Sequence, residues 1–349
     1  MAMVSTNMAM TTRVSEVAVR DAIAAAEAGW IGELWRKEEL VQFLLSDKFD
    51  PEQALKAGPV FVPRAVKQNE ARMGLTPVGI RFLKGILPQL EIYVEAGSGV
   101  NRDETRQEYY ADEAYSAAGA AVLSRDNFVA KAKASPEKVV VSIKEPQSPK
   151  HAGEQSEYPI LENALLFTYL HLADDPALTQ ELQKLLKAGV AYETVAYRDE
   201  NGVGKTPVLA PASHAAGWLS ALRFAVSLKR EENPGGLDNE FRSAAESYVS
   251  ESSAVPEGLR GQLRGKTALV LGGGVAGAAS AFTMAELGAR KIYITEVNPA
   301  RIAELRGMIA KSSFQYVIEV LERHPEVTLD NDGGTQGALI GRSLSIQGE

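Results

Sequence analysis

Apolar and polar positions along this chain repeat with two different periods, and the changes of period outline its elements. From Val17 to about Leu45 the spacing is helical, with Ile31, Leu34, Trp35, Leu40, Val41 and Leu44 along one apolar side. Val60 to Pro63 is a short run of strand type, and Thr76-Pro77 opens a helix that carries Val78, Ile80, Phe82 and Leu83. Glu91 to Glu95 reads as a second strand, closed by Ala96-Gly97-Ser98-Gly99, and the polar stretch Asn101 to Tyr109 reads as an insertion. Lys138 to Ile143, Ala164 to Leu170 and Gly189 to Thr194 are further strand candidates, with a helix from Leu178 to Lys187 between the last two. Strands alternating with helices predict a parallel α/β domain.

After this region His214 to Leu228 reads as a helix apolar on most sides, hence buried. Lys229 to Gly265 is rich in Glu, Ser, Gly and Pro and separates the domains, with a short helix expected from Glu240 to Val249. A second alternation begins at Lys266: strand Thr267 to Leu271, helix Ala276 to Leu287, strand Lys291 to Thr295. Between its first strand and helix stand Gly272, Gly274 and Gly277, spaced G-x-G-x-x-G, and Glu296 follows about 20 residues on, at the end of the next strand.

Each part of that arrangement has a physical task in binding a dinucleotide. Gly272 permits a tight turn, Gly274 lets a pyrophosphate approach the backbone, and Gly277 lets the helix pack close to the strand with its positive end toward the phosphates. Glu296 accepts hydrogen bonds from ribose hydroxyls and repels a 2′-phosphate, which favours NAD over NADP, although nearby Arg301 leaves that choice open. The stretch from Gly272 to Glu349 is shorter than the roughly 110 residues that a complete six-stranded dinucleotide domain occupies. The expected division is a helical extension over 1–58, a substrate domain over 59–228, a linker over 229–265 and a partial cofactor domain of Rossmann type over 266–349.

Composition narrows the partners. A net charge of −8 with no long basic run argues against nucleic acid. No apolar run is long enough for a bilayer, and the absence of cysteine excludes disulfides, thiolate metal sites and cysteine nucleophiles. A cytoplasmic enzyme is the simplest fit. The first fifteen residues hold no acid and only Arg13 as a base, so an organelle address there stays open.

Four segments, together with the glycine turn, resemble alanine dehydrogenase, within the alanine dehydrogenase and pyridine nucleotide transhydrogenase superfamily. They are Val62-Pro63-Arg64-Ala65-Val66-Lys67-Gln68-Asn69-Glu70-Ala71-Arg72-Met73-Gly74-Leu75-Thr76-Pro77; Ile143-Lys144-Glu145-Pro146; Leu166-Phe167-Thr168-Tyr169-Leu170-His171-Leu172-Ala173; and Ala191 to Val195 with Pro211 to Gly217. An ordered set is more specific than any one motif. The resemblance implies NAD-linked oxidative deamination of L-alanine to pyruvate and ammonia in a homo-oligomer, with no metal. It implies that Arg72 holds the substrate carboxylate, that Lys144 binds the same acid and polarises its keto oxygen, and that His171 is the general acid/base. Ser213 is implied to contact the cofactor phosphates; read alone, it is a helix N-cap.

Two departures stand out. His214 replaces an acid usual in the family, and no segment matches the surroundings of the family's second catalytic residue, an aspartate; neither Asp330 nor Asp332 fits that role. Three rivals follow. A transhydrogenase NADH-binding subunit would need no Lys–His amino-acid site, a saccharopine-type reductase fits the Phe167 to Ala173 string less well, and a non-catalytic remnant would bind NAD without turnover.

Overall fold

A computed structural model describes residues 14–29, 37–67, 70, 72–100, 110–173, 175–198, 204–229 and 255–322. The chain divides into two compact units, Met1–Leu209 and Ala210–Glu349. Both are of the expected α/β class, each built on a parallel sheet.

The first unit holds six parallel strands: β1 (Val60–Val62), β2 (Ile92–Glu95), β3 (Ala121–Leu123), β4 (Val139–Val141), β5 (Leu165–Thr168) and β6 (Ala188–Ala191). Their order is β3-β2-β1-β4-β5-β6, so the winding reverses between β1 and β4, which pair through Val60–Val139 and Phe61–Val140. In an open α/β sheet such a reversal leaves a crevice at the carboxyl ends of the two strands. All of β1 is buried because alternate side chains serve opposite faces. Val60 and Val62 join Ile80, Ile92, Val94 and Tyr115 on one side, and Phe61 joins Phe128, Val140, Leu166 and Leu182 on the other.

The helix Pro77–Ile86 begins as expected, with the Thr76 hydroxyl accepting from Gly79 N at 3.2 Å and Pro77 in the first turn, where its missing N–H costs nothing. The N-terminal helix Glu16–Gly29 packs on it closely enough that a Cβ at Gly85 would come within 2.7 Å of the Ala22 Cβ. Ile31, Leu34 and Trp35 lie outside the described residues, as do the polar stretch 101–109, the expected helix at 240–249 and the C-terminal residues from 323. The edge strand β3 was not foreseen: Ala-Val-Leu, with no residue fully buried, is too short a run to mark a strand. A two-residue antiparallel ribbon, β7 (Tyr197–Arg198) with β8 (Gly204–Lys205), follows β6.

The second unit carries β9 (Thr267–Val270), β10 (Lys291–Thr295) and β11 (Ile318–Leu321), parallel in the order β11-β10-β9. The helix Leu209–Lys229 belongs to its core through Trp218, Ala221, Leu222, Ala225 and Val226. It crosses the helix Val275–Glu286 so closely that a Cβ at Gly217 would lie 2.1 Å from the Ala276 carbonyl oxygen. Val255, Leu259 and Leu263, which precede β9, are also buried there. No helix among the described residues is long and apolar enough to cross a membrane.

Candidate functional site

Three of the residues singled out from the sequence leave the first sheet at its carboxyl edge, beside the reversal point. The loop after β1 carries Lys67, Glu70 and Arg72, the loop after β4 carries Lys144 and Glu145, and His171 follows β5. The first loop is seated on the second by Gly74, where a Cβ would stand 2.3 Å from the Val141 carbonyl oxygen, so only glycine allows that approach.

Arg72 is gripped by Glu70. Its Nε donates to Glu70 Oε1 at 2.8 Å and its NH2 group to Oε2 at 2.6 Å, while the Arg72 amide donates to Oε1 at 2.9 Å. Glu70 is buried, 7 % exposed, whereas the Arg72 side chain is half exposed. Burial opposes the charge on Glu70, but the Arg72 fork, with the Lys144 ammonium beyond it, holds this carboxyl below its ordinary range. The Arg72 guanidinium is raised in turn, chiefly by its bond to Glu70. One edge of the fork is thus used to fix the side chain, and its remaining donors stay on a half-exposed group.

Lys144 Nζ makes no hydrogen bond or ion pair among the described residues, and its charge reaches both Glu70 and Glu145. Its backbone is fixed from below, because its carbonyl accepts from the buried Thr168 hydroxyl at 2.9 Å. Glu145 stands between two side chains: Oε1 pairs with Lys67 Nζ, and Oε2 lies 3.5 Å from His171 Nδ1. Burial works against ionisation of Glu145, yet the Lys67 hydrogen bond and the Lys144 charge hold it below the usual carboxylate range.

His171 sits three residues past the end of β5 in the left-handed region, with φ at 48°. That conformation costs a non-glycine residue about 1–3 kcal/mol. It is matched by Glu193, whose carboxylate accepts from the Leu170 amide at 3.2 Å and from the His171 amide at 2.6 Å. Hydrogen bonds to a charged group contribute roughly 1.5–3 kcal/mol each, so Glu193 is enough to hold the bend. The imidazole stacks on Tyr169 at 6.2 Å between ring centres, and the Tyr169 hydroxyl donates to the Val208 carbonyl at 2.8 Å. With Nδ1 turned toward Glu145, Nε2 makes no hydrogen bond among the described residues. Glu145, Glu193 and Lys67 all lie within the segments that resemble alanine dehydrogenase; nothing in their spacing says that two are carboxylates aimed at one histidine.

In the second unit the three glycines behave differently from one another. Gly272 has φ of 92° and its amide donates to the Thr295 hydroxyl at 3.0 Å, which ties the turn to the end of β10. A Cβ at Gly277 would meet the Gly272 carbonyl oxygen at 1.9 Å, whereas one at Gly274 would meet nothing within 4 Å. The turn therefore needs glycine for its own geometry at two positions, and at the third it leaves open space beside the first turn of the helix Val275–Glu286. Glu296 directly follows this unit's second strand, beside the turn. The Asn298 amide, then the Val297 and Gly273 amides, hold its carboxyl below the ordinary range. Arg301 Nε donates to the Gly273 carbonyl at 2.6 Å and its NH1 group pairs with Glu304, so it braces the turn. Open backbone at Gly274, a helix N-terminus and an adjacent ionised acid fit the pyrophosphate and ribose of a dinucleotide.

Ser213 is not a helix cap. The helix starts at Leu209, because Pro211 is tolerated within a first turn whose amides have no intrahelical partner, and Ser213 lies inside it. Asp330 and Asp332 lie outside the described residues. No cluster of metal-ligating side chains occurs among the described residues.

A doubly wound sheet followed by a strand, glycine turn, helix and strand defines an α/β protein of Rossmann type. Residues 61–216 match the family described as "Alanine dehydrogenase/PNT, N-terminal domain". The chain is 32% identical over 248 residues to an alanine dehydrogenase of Methanococcus maripaludis, which covers 70% of this chain and 54% of that protein. It is also 32% identical over 248 residues to an alanine dehydrogenase of Staphylococcus epidermidis, covering 71% and 55%. The chain belongs to the alanine dehydrogenase and pyridine nucleotide transhydrogenase superfamily, and it spans about half the length of the curated relatives it matches. A transhydrogenase from Sinorhizobium meliloti aligns with a TM-score of 0.43 at 20% identity, covering 71% of this chain and 60% of that one, a likeness too loose to bear on function.

Proposed function

We propose that the chain acts as an NAD-dependent amino-acid dehydrogenase that converts L-alanine and water to pyruvate and ammonium, and the reverse. The observation that carries this reading is the cluster at the reversal of the first sheet. Two cations, Arg72 and Lys144, stand beside an imidazole backed by a partly buried carboxylate. A small 2-amino or 2-keto acid needs such a set: a grip for its carboxylate, a positive charge at its C2 oxygen and a group that moves a proton at neutral pH.

The remaining donors of Arg72, fixed by Glu70, take the substrate carboxylate. The Lys144 ammonium stabilises charge as it develops on the keto oxygen. His171 Nε2 withdraws a proton from the water that adds at C2 and returns one when ammonia leaves, while Glu145 at Nδ1 stabilises the protonated ring. Gly272, Gly274, Gly277 and Glu296 are the residues that would hold NAD, with Ser213 as a further contact, and when bound NAD supplies the hydride acceptor. A soluble homo-oligomer is the form in which we expect the activity.

Assay of the purified chain tests this directly. NADH should be oxidised only when pyruvate and ammonium are both present. Hydride exchange with a nicotinamide analogue, independent of pyruvate, would replace this reading with a transhydrogenase-type one. NAD binding with no turnover under any condition would leave a binding protein.

A further inference from the structure

Behind the two substrate loops lies a buried polar knot that the mechanism above does not use. Arg125, the first residue of the helix after β3, donates through NH1 to Glu95 at 3.2 Å and through NH2 to the Ser156 carbonyl. Glu95, at the end of β2, also accepts from the Arg64 amide at 3.1 Å. The neighbouring Glu157 is 4 % exposed, its carboxylate accepts from the Gln147 amide at 2.9 Å, and the Val66 amide is close enough to stabilise its charge. The Ser156 hydroxyl closes the same turn by donating to the Gln147 carbonyl at 2.7 Å. Val66 lies in the loop that runs on to Arg72, and Gln147 lies three residues past Lys144. One carboxylate therefore touches both loops that present the cationic grips.

We propose that Glu157 is a positioning residue for the substrate site: its carboxylate locks the loop after β1 to the loop after β4 and so fixes the spacing of Arg72 and Lys144. The location argues for this role over one in general stability. Burying a carboxylate is costly, and here backbone amides of two separate loops offset part of that cost. An apolar side chain would fill the same space without linking the loops. Lys67–Glu145 is a second tie between the same two loops, but the Lys67 side chain is 40 % exposed and water screens it. The inference rests on the proposed grip of a small acid by Arg72 and Lys144, so its test has one arm independent of turnover.

In the full chain, Glu157→Ala and Glu157→Gln are compared with wild type by amide hydrogen exchange and by steady-state kinetics. For Glu157→Ala, exchange should quicken about tenfold in both 64–72 and 143–148 while β1, β4 and β5 stay protected. The KM for pyruvate should rise about tenfold with the KM for NADH unchanged. Glu157→Gln, which keeps one acceptor oxygen, should fall between Ala and wild type on both measures; if Ala fails to fold, Gln alone decides. Faster exchange confined to 145–158, or an unchanged KM for pyruvate in an active variant, overturns the proposal. A wild-type chain that never turns over pyruvate would refute the dehydrogenase reading, and the exchange result would still decide whether Glu157 links the loops.

Discussion

The two units build their candidate sites from opposite materials. In the first, the strands are short and the loops beyond them carry charged side chains whose positions are set by other side chains: Glu70 on Arg72, Glu145 and Glu193 on His171. In the second, the site is backbone, a turn whose shape depends on the absence of side chains at Gly272 and Gly277. A side-chain site can lose its chemistry and keep its fold. A backbone site of this kind is expected to lose both together wherever the glycine is also needed for packing, as at Gly277.

Substitutions can break or sharpen that contrast. The largest effect expected is for His171→Ala, which should lower kcat by roughly 10²–10⁴, the span of general acid/base catalysis, while the thermal midpoint and NADH affinity measured by calorimetry barely move. Next, Gly277→Ala places a methyl group 1.9 Å from a carbonyl oxygen. It should cost about 3 kcal/mol or more and abolish NAD binding at the same time, read by urea denaturation and titration. Gly274→Ala has open space and should keep its stability while binding weakens. Equal damage from the two alanines would refute the division of labour among the glycines. Glu145→Gln should reduce kcat about tenfold, with NADH binding unchanged in the same assay.

A smaller effect concerns pH. Burial pushes the Glu157 carboxyl up to about 7 from an ordinary 4.5, with the Gln147 and Val66 amides and Arg125 pulling the other way. A group raised on folding binds its proton more tightly in the native state. Its contribution is therefore full below pH 4.5 and is lost as pH rises toward about 7. Glu157→Gln, neutral throughout, should gain stability relative to wild type between those pH values; urea midpoints that stay parallel from pH 5 to pH 8 would contradict this. Smallest of all, Lys187→Met removes a pair with Glu137 in which both side chains are about half exposed, and should change stability by less than about 1 kcal/mol.

Much of the fold could be read in the chain because burial on both faces writes itself as unbroken apolar runs. Val60 to Val62, Val139 to Val141 and Leu165 to Thr168 lie inside the predicted strands, and Thr76-Pro77 opens the predicted helix. Ala121–Leu123 was not legible, since an edge strand of three partly exposed residues gives no period to count. The glycine turn was legible down to its individual glycines, because steric exclusion acts within a few residues and leaves its mark on local sequence. The candidate site of the first unit was visible only as residue types in resembling segments.

Local order alone thus determined the alternation of strand and helix, the glycine spacing and the presence of Arg72, Lys144 and His171. Tertiary structure decided which groups act on them: that Glu70 is buried under Arg72, that Glu145 stands between Lys67 and His171, and that Glu157 reaches amides of two loops far apart in the chain. Apolar periodicity is a property of neighbours along the chain, whereas a charge is stabilised by whatever the folded sheet brings within about 3 Å of it, and strand order is not written in any one segment.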